Sequence, residues 1–321
     1  MDEEQYSPPL EKHVLDMVVP EIRKLFDDIL KYRVDPEGTY YGITQQTLIQ
    51  QIAELPVDRI VALDSEYRYE RKGHMYDPTL QSFVQGAGGQ ISTWSKEENT
   101  KTPVVLRGIT KRKQMDTCRE TGRDFYYIDT GYFGNGKKKN YHRITRNDVQ
   151  NFGPVKERPS DRFDRTGVSL KKVRADGNKI LLAPPSQKLL NLYDIDLETW
   201  LNQTLAEISA NTDREVVIRR KQGRSTRIND DTIEMALSQD IYCLITYSSI
   251  AAGEAIMFGK PAITLGPNAA AAVCSTSISD IESIKRPNLD EISAWARHLA
   301  YCQFTEVEMR DGTAWRILND G

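Results

Sequence analysis

The chain reads as an α/β protein built from two parallel-sheet domains, and three observations point there. Its 321 residues exceed one ordinary small domain and suit two. Hydrophobic residues make up 39% and charged residues 28%, the balance of a folded globular protein. In both halves, short apolar runs alternate with segments of helical length, the rhythm of strands joined by crossover helices. The expected layout is a first domain over 1–175, a second over 176–300, and a 301–321 tail packing back on the first.

Residues 1–35 predict a helical lead-in, because Val14, Met17, Val18, Ile22, Leu25, Phe26 and Ile29 recur at three- and four-residue steps. Strands are expected at Arg59–Leu63, Val104–Arg107 and Phe125–Ile128, with a glycine-rich patch at Gly86–Gly89 and a helix near Lys111–Glu120. Residues 134–178 are poor in aliphatics and predict a long loop region. The second half has a cleaner rhythm. Lys179–Ala183, Glu215–Arg219, Tyr242–Thr246 and Pro261–Leu265 predict strands; Leu197–Asn211, Thr232–Leu237 and Ala251–Phe258 predict helices. Such strand–helix–strand units form right-handed parallel sheets. The amphipathic ends Ile292–Ala300 and Thr313–Leu318 carry Trp295 and Trp315.

Net charge is −3, but its distribution is uneven. Residues 101–180 hold 20 Lys/Arg against 9 Asp/Glu, a local balance of +11 that leaves −14 elsewhere. Attraction to phosphate is local and screened within about 10 Å, so a basic block in an acidic chain bears on partners more than the total does. The four cysteines share no CxxC pairing, and the four histidines form no metal motif. With no signal-like start and no apolar run of spanning length, the expectation is a cytoplasmic protein with reduced thiols and no membrane contact.

The sharpest motif is Ile245-Thr246-Tyr247-Ser248-Ser249-Ile250-Ala251-Ala252-Gly253-Glu254-Ala255, followed by Gly259-Lys260-Pro261. A buried strand ends in hydroxyl residues, turns, and starts a helix of small residues that can approach the sheet closely. The free N–H groups of that helix start, with the two serine hydroxyls, suit an anion at the sheet's carboxyl edge. Glu254 lies one turn further in, where a carboxylate can accept from both ribose hydroxyls. The bland alternative is that Ser248 and Ser249 only cap the helix.

This string resembles the donor-binding half of GT-B glycosyltransferases. That resemblance implies two Rossmann-like domains facing an interdomain cleft, with Ser248 and Ser249 at the diphosphate, Glu254 on the ribose, and Tyr247 also among the nucleotide-sugar contacts. Ser186, after Pro184-Pro185, falls where such enzymes turn a loop under the phosphates. Arg219, Arg220 and Lys221 could neutralise a departing diphosphate. The whole chain also resembles phage-type glycosyltransferases of hydroxymethylated DNA bases, through Val105–Ile109, Arg123–Gly134, Lys137–Lys139, His142-Arg143 and Gly312–Arg316.

The expectation is therefore transfer of a sugar from a nucleotide-sugar, with a UDP-sugar favoured, to the hydroxyl of a 5-hydroxymethylpyrimidine in double-stranded DNA, with 5-hydroxymethylcytosine the favoured base. A phage-encoded enzyme of this kind would work in the host cytoplasm as a monomer or weak homo-oligomer. No tightly bound cofactor is implied; a divalent metal is compatible as a diphosphate counter-ion, though no ligand set is visible. Asp129, ending an apolar strand, is the first candidate for the base that takes the acceptor proton, and Asp64 the second. Arg107, Tyr132, Lys137, Lys138, Lys139 and Arg143 are the candidate acceptor contacts, since aromatic faces beside cations suit an unstacked base and its phosphates. Read as structure instead, those aromatics are core and those lysines surface. Three other functions fit parts of the chain: a polysaccharide glycosyltransferase, a sugar-nucleotide epimerase, and a non-catalytic DNA-binding protein.

Overall fold

A computed structural model of the chain describes residues 61–63, 77–92, 102–109, 112–135, 140–220 and 232–319. It is a mixed α/β structure with two compact units, one formed by Met1–Asp129 with Phe304–Gly321 and the other by Thr130–Gln303. The segment 130–175 therefore belongs by contact to the second unit. No helix among the described residues is long and apolar enough to cross a membrane.

In the first unit, β1 (Val61–Leu63), β2 (Gln90–Ser92), β3 (Val104–Arg107) and β4 (Phe125–Thr130) lie in the order β4-β3-β1-β2. All three pairings are parallel, with Val61 opposite Gln90 and Val104, and Val104 opposite Phe125. Helix α1 (Pro78–Ala87) and helix α2 (Arg112–Thr121) complete the crossovers. The glycine patch forms the end of α1 and its cap. Gly86 and Ala87 end α1, and Gly88 takes the left-handed cap conformation at φ 69°, where a side chain would be strained.

The last segment of the chain packs within this unit. Glu306 Oε1 accepts from the Thr79 hydroxyl at 2.8 Å, and Trp315 stacks at an angle against Phe83 and Tyr126 with centroids 6.2 and 5.3 Å away. Burial of such rings is the largest apolar gain available to a small domain, which accounts for the tryptophan near the C-terminus.

The second unit holds β5 (His142–Arg146) and the short helix α3 (Asp161–Asp164) in the stretch expected to be loop. The strand escaped notice because Ile144 is its sole aliphatic residue; His142, Arg143 and Thr145 are nonetheless buried. A four-stranded parallel sheet follows: β6 (Lys179–Leu182), β7 (Val216–Ile218), β8 (Ile241–Thr246) and β9 (Ala262–Thr264), in the order β7-β6-β8-β9. Between them run α4 (Gln187–Leu190), α5 (Leu197–Asn211), α6 (Ile233–Leu237) and α7 (Ala251–Phe258), with α8 (Leu289–Ala300) after them.

Alternation along β8 feeds two cores. Leu244 joins Ala252, Ala255 and Trp295 on one side, while Cys243 and Ile245 join Trp200, Ile208 and Ile281 on the other. A sheet covered on both faces needs continuous apolar strands, which is why YCLIT was so legible.

Candidate functional site

The order β7-β6-β8-β9 contains a switch point. From β6 the chain crosses outward to β7, and then returns past β6 to lay β8 on its other flank. The helices that follow β6 and β8 thus lie on opposite faces of the sheet, the topology in which the carboxyl ends of two such strands are the usual ligand position. Pro184–Ser186 follow β6 there, and Tyr247–Ile250 follow β8. Ser186 is exposed and its hydroxyl caps α4, accepting from the Leu189 N–H at 3.4 Å.

The turn after β8 is tied down from several directions. The Thr246 hydroxyl donates to the Ala183 carbonyl at 2.7 Å, fastening the two strand ends together. Ser248 is 2% exposed. Its hydroxyl donates to the Pro267 carbonyl, and the Gln150 amide donates to the Ser248 carbonyl at 3.0 Å and hydroxyl at 3.3 Å. The Asn268 amide donates to the Ser249 carbonyl at 2.9 Å and accepts from the Ala270 N–H at 2.9 Å. Ser249 is half-buried, and its hydroxyl accepts from the Ala251 N–H at 3.3 Å. The two serines therefore differ: Ser248 is an anchor with its hydroxyl committed, and Ser249 stands at the open start of α7.

Helix α7 begins with small residues because it lies close on the sheet; Ala252 and Ala255 are fully buried. A Cβ on Gly253 would stand 3.3 Å from the Trp295 ring. Glu254 sits in the first turn, half-buried, where the helix dipole favours a carboxylate.

The Gly-Lys-Pro that closes the motif is scaffold. Gly259 ends α7 at φ 93°, and its Cβ would lie 2.9 Å from the Lys172 carbonyl oxygen. That opening lets the passing strand of chain cap the helix, with Lys171 N–H on Met257 O at 3.2 Å and Arg174 N–H on Gly259 O at 2.9 Å. Lys260 pairs with Asp176 at 2.7 Å and holds that carboxyl below its usual range.

Tyr247 is half-buried against Tyr193 and Trp200, with centroids 5.3 and 6.3 Å away, and burial pushes its phenol upward. Gly266 makes room for it, since a Cβ there would meet the Tyr247 ring at 2.5 Å. Arg219, half-buried, continues the β7 pairing with its N–H on Leu182 O at 2.9 Å. Arg220 is bidentate to Glu198 at 2.9 and 3.3 Å, which keeps that carboxyl below its ordinary value. Lys221 lies outside the described residues. The Thr264 hydroxyl, at the end of β9 and 2% exposed, finds no hydrogen-bond partner among the described residues. Those residues also hold no group of three or more His, Cys, Asp or Glu arranged for a metal.

The candidates from the first part of the chain are placed differently from one another. Asp129 is inside β4 rather than just past it, half-buried, and accepts from the Tyr127 hydroxyl at 3.1 Å. Asp64 and Lys137–Lys139 lie outside the described residues. Arg107 ends β3 and pairs with the buried Asp77, whose carboxylate also caps α1 by accepting from Thr79 N at 3.1 Å. Its guanidinium is thus tied to a helix start.

Tyr132 and Arg143 are 5% and 6% exposed, the guanidinium standing 5.6 Å over the tyrosine ring. Gln303, fully buried, accepts from Tyr132 N and Phe133 N at 2.8 and 3.2 Å and fixes this turn. Tyr126, Tyr127 and Phe133 are buried as well. The interleaved aromatics are core, and Tyr132 and Arg143 offer a nucleobase no open face in this conformation.

Sequence reasoning missed two polar residues that shape the site, Gln150 and Asn268. Asn268 follows Gly266-Pro267, a turn signature in which an asparagine side chain often binds nearby backbone. Gln150 lies 98 positions from its partner and carries no local signal.

No protein-family model matches the chain, and no curated protein matches it. Among solved structures, the chain is similar to a beta Kdo 2,4 transferase, KpsC of Thermosulfurimonas dismutans, at 17% identity and TM-score 0.44, with 74% of this chain and 89% of that chain covered. A beta Kdo 2,7 transferase, also KpsC of that organism, is similar at 13% identity and TM-score 0.45, with 74% and 90% covered. Scores of this size do not establish a shared fold, so the site's chemistry rests on its own residues.

Proposed function

We propose that the protein is a glycosyltransferase that holds a nucleotide-sugar at the carboxyl edge of its second sheet. The observation that carries this reading is the placement of Ser249, the start of α7 and Glu254 on the loop after β8, beside the switch point between β6 and β8. Amide donors and a hydroxyl there match a diphosphate, and a carboxylate one turn inward matches a ribose diol. Ser186 supplies a second hydroxyl from the loop after β6. Arg219, with Lys221 two residues on, supplies cations to the leaving group.

In the reaction, the acceptor oxygen bonds to the anomeric carbon as the bond from that carbon to the diphosphate breaks. The acceptor proton passes to a carboxylate, for which Asp129 and Asp64 are the candidates, and the nucleoside diphosphate leaves with the electron pair.

The finer reading is that the acceptor is the hydroxymethyl group of a pyrimidine in DNA, 5-hydroxymethylcytosine above all. Its support is the basic block, of which Arg146, Lys156, Lys171, Lys172 and Arg174 are exposed. The buried Tyr132 and Arg143 do not add to it, so this half of the proposal stands on charge alone.

The test is to incubate the protein with hydroxymethylated and unmodified DNA, and separately with oligosaccharide acceptors, each with a panel of nucleotide-sugars, and to weigh the products. A sugar-sized gain confined to hydroxymethylated DNA is the expected result. A gain on oligosaccharide alone keeps glycosyl transfer and rejects the DNA acceptor. No gain, no released nucleoside diphosphate and no donor binding reject the enzyme.

A further inference from the structure

The turn at Ser248–Ile250 is shaped by two side-chain amides that come from outside its own sequence motif. Gln150 holds the Ser248 carbonyl, and Asn268 holds the Ser249 carbonyl. A trans peptide is planar, with its carbonyl and the following N–H pointing in opposite directions. Fixing the Ser248 carbonyl therefore aims the Ser249 N–H the other way, and fixing the Ser249 carbonyl aims the Ile250 N–H likewise. Among the described residues, neither of these two N–H groups donates to a protein acceptor.

Gln150 is itself aimed by a rigid turn after β5. Asn147 takes a left-handed conformation at φ 61°. The Asp148 carboxylate accepts from Val149 N at 2.6 Å and Gln150 N at 3.4 Å, and the Thr145 hydroxyl donates to the Asp148 carbonyl at 2.5 Å. The Gln150 side chain is 5% exposed, so its amide must be satisfied within the protein, and the Ser248 turn is where it is satisfied.

We propose that Gln150 is a positioning residue for anion binding: by clamping the Ser248 peptide it turns the Ser249 and Ile250 N–H groups, beside the Ser249 hydroxyl, toward a diphosphate. The ligand half of this statement rests on the donor-site reading above; the clamp does not. Asn268 completes the arrangement on the next peptide. The design separates holding from binding, since the side chains that fix the turn come from residues 150 and 268 while the donors presented are backbone.

Two variants test it, Gln150→Met, which keeps the length and loses the amide, and Gln150→Glu, which keeps the shape and puts a carboxylate against a carbonyl. Hydrogen exchange across residues 246–254 reads the clamp without any ligand. Titration with inorganic pyrophosphate and with UDP reads the consequence, and the melting temperature reports whether the fold is intact. The expected result is faster exchange of the Ala251 and Ala252 amides, which are bonded to Ser249, in both variants, with pyrophosphate and UDP affinity lowered about tenfold in Gln150→Met and further in Gln150→Glu. Unchanged exchange and unchanged affinity in folded variants overturn the proposal. Faster exchange in variants of a protein that binds neither probe leaves the clamp standing and removes the diphosphate reading instead.

Discussion

Two polar segments of the second unit, the turn at residues 247–250 and the stretch at 131–146, look alike in composition and behave in opposite ways. Both follow an apolar strand and both mix hydrogen-bonding groups with aromatic rings. In the turn, the side chains are short, so they close on neighbouring backbone, Ser248 on the Pro267 carbonyl and Ser249 on the Ala251 N–H. In 131–146 two long side chains fold back: Arg143 lies over Tyr132, both are buried, and the Gln303 side chain accepts from the Tyr132 N–H. A short hydroxyl at a strand end has few places to go, and the strand end fixes them. A long cation beside an aromatic can reach outward or turn inward, and composition does not say which.

The sharpest way to break that contrast is Arg143→Ala. If the guanidinium is a core element, its loss removes a cation–π contact and buried packing together, at about 3 kcal/mol. For a unit of this size that lowers the melting temperature by roughly 6–12 °C. Thermal denaturation decides it: an unshifted melting temperature together with weaker DNA binding would return Arg143 to the surface.

The complementary experiment on the turn is Glu254→Ala, and here the opposite pattern is expected. Glu254 is half-buried on a helix already secured by its alanines, so the melting temperature should move little. If the carboxylate holds a ribose, losing a charged hydrogen bond weakens UDP binding by about 10- to 30-fold, or roughly 1.5–2 kcal/mol. Calorimetric titration beside a melting curve separates the cases. A large stability loss with affinity retained would make Glu254 part of the scaffold.

The same contrast explains how far the sequence could be read. The strands of the four-stranded sheet, β6 to β9, were legible because their residues are almost all apolar, and helices Leu197–Asn211 and Ala251–Phe258 were recovered to the residue. Strand β5 was hidden because His142, Arg143 and Thr145 are polar yet buried, so the strand carries no apolar run or alternation. At the site, the motif pointed to the carboxyl edge of the sheet, since hydroxyls between a strand and a small-residue helix fit few other places. It could not divide the work between Ser248 and Ser249. That division depends on Gln150, Pro267 and Asn268, and long-range polar contacts leave no periodicity behind.

The smallest effect expected is a pH dependence centred on His298, whose ring meets Asn151 and the Lys156 N–H and takes no part in the site. His298 is 7% exposed on α8, and burial, with the Arg158 and Lys156 charges nearby, lowers its pKa from the usual value. The other groups against it are the Asn151 amide, 3.3 Å from Nε2, and the Cys302 thiol, which burial and its neighbours leave at about 11 and therefore neutral. Its Nδ1 accepts from the Lys156 N–H at 3.3 Å, a bond that protonation would destroy.

Because the folded pKa lies below the unfolded one, the unfolded chain binds the proton more readily. Stability is then full above the unfolded histidine value of about 6.5 and falls as pH drops below it toward the folded value. Melting curves between pH 8 and pH 5 should fall less steeply for His298→Gln than for the natural chain, since glutamine can accept from Lys156 N–H without titrating. Equal slopes in the two proteins would show that His298 protonates without strain, and that Lys156 and Arg158 are screened from it by water.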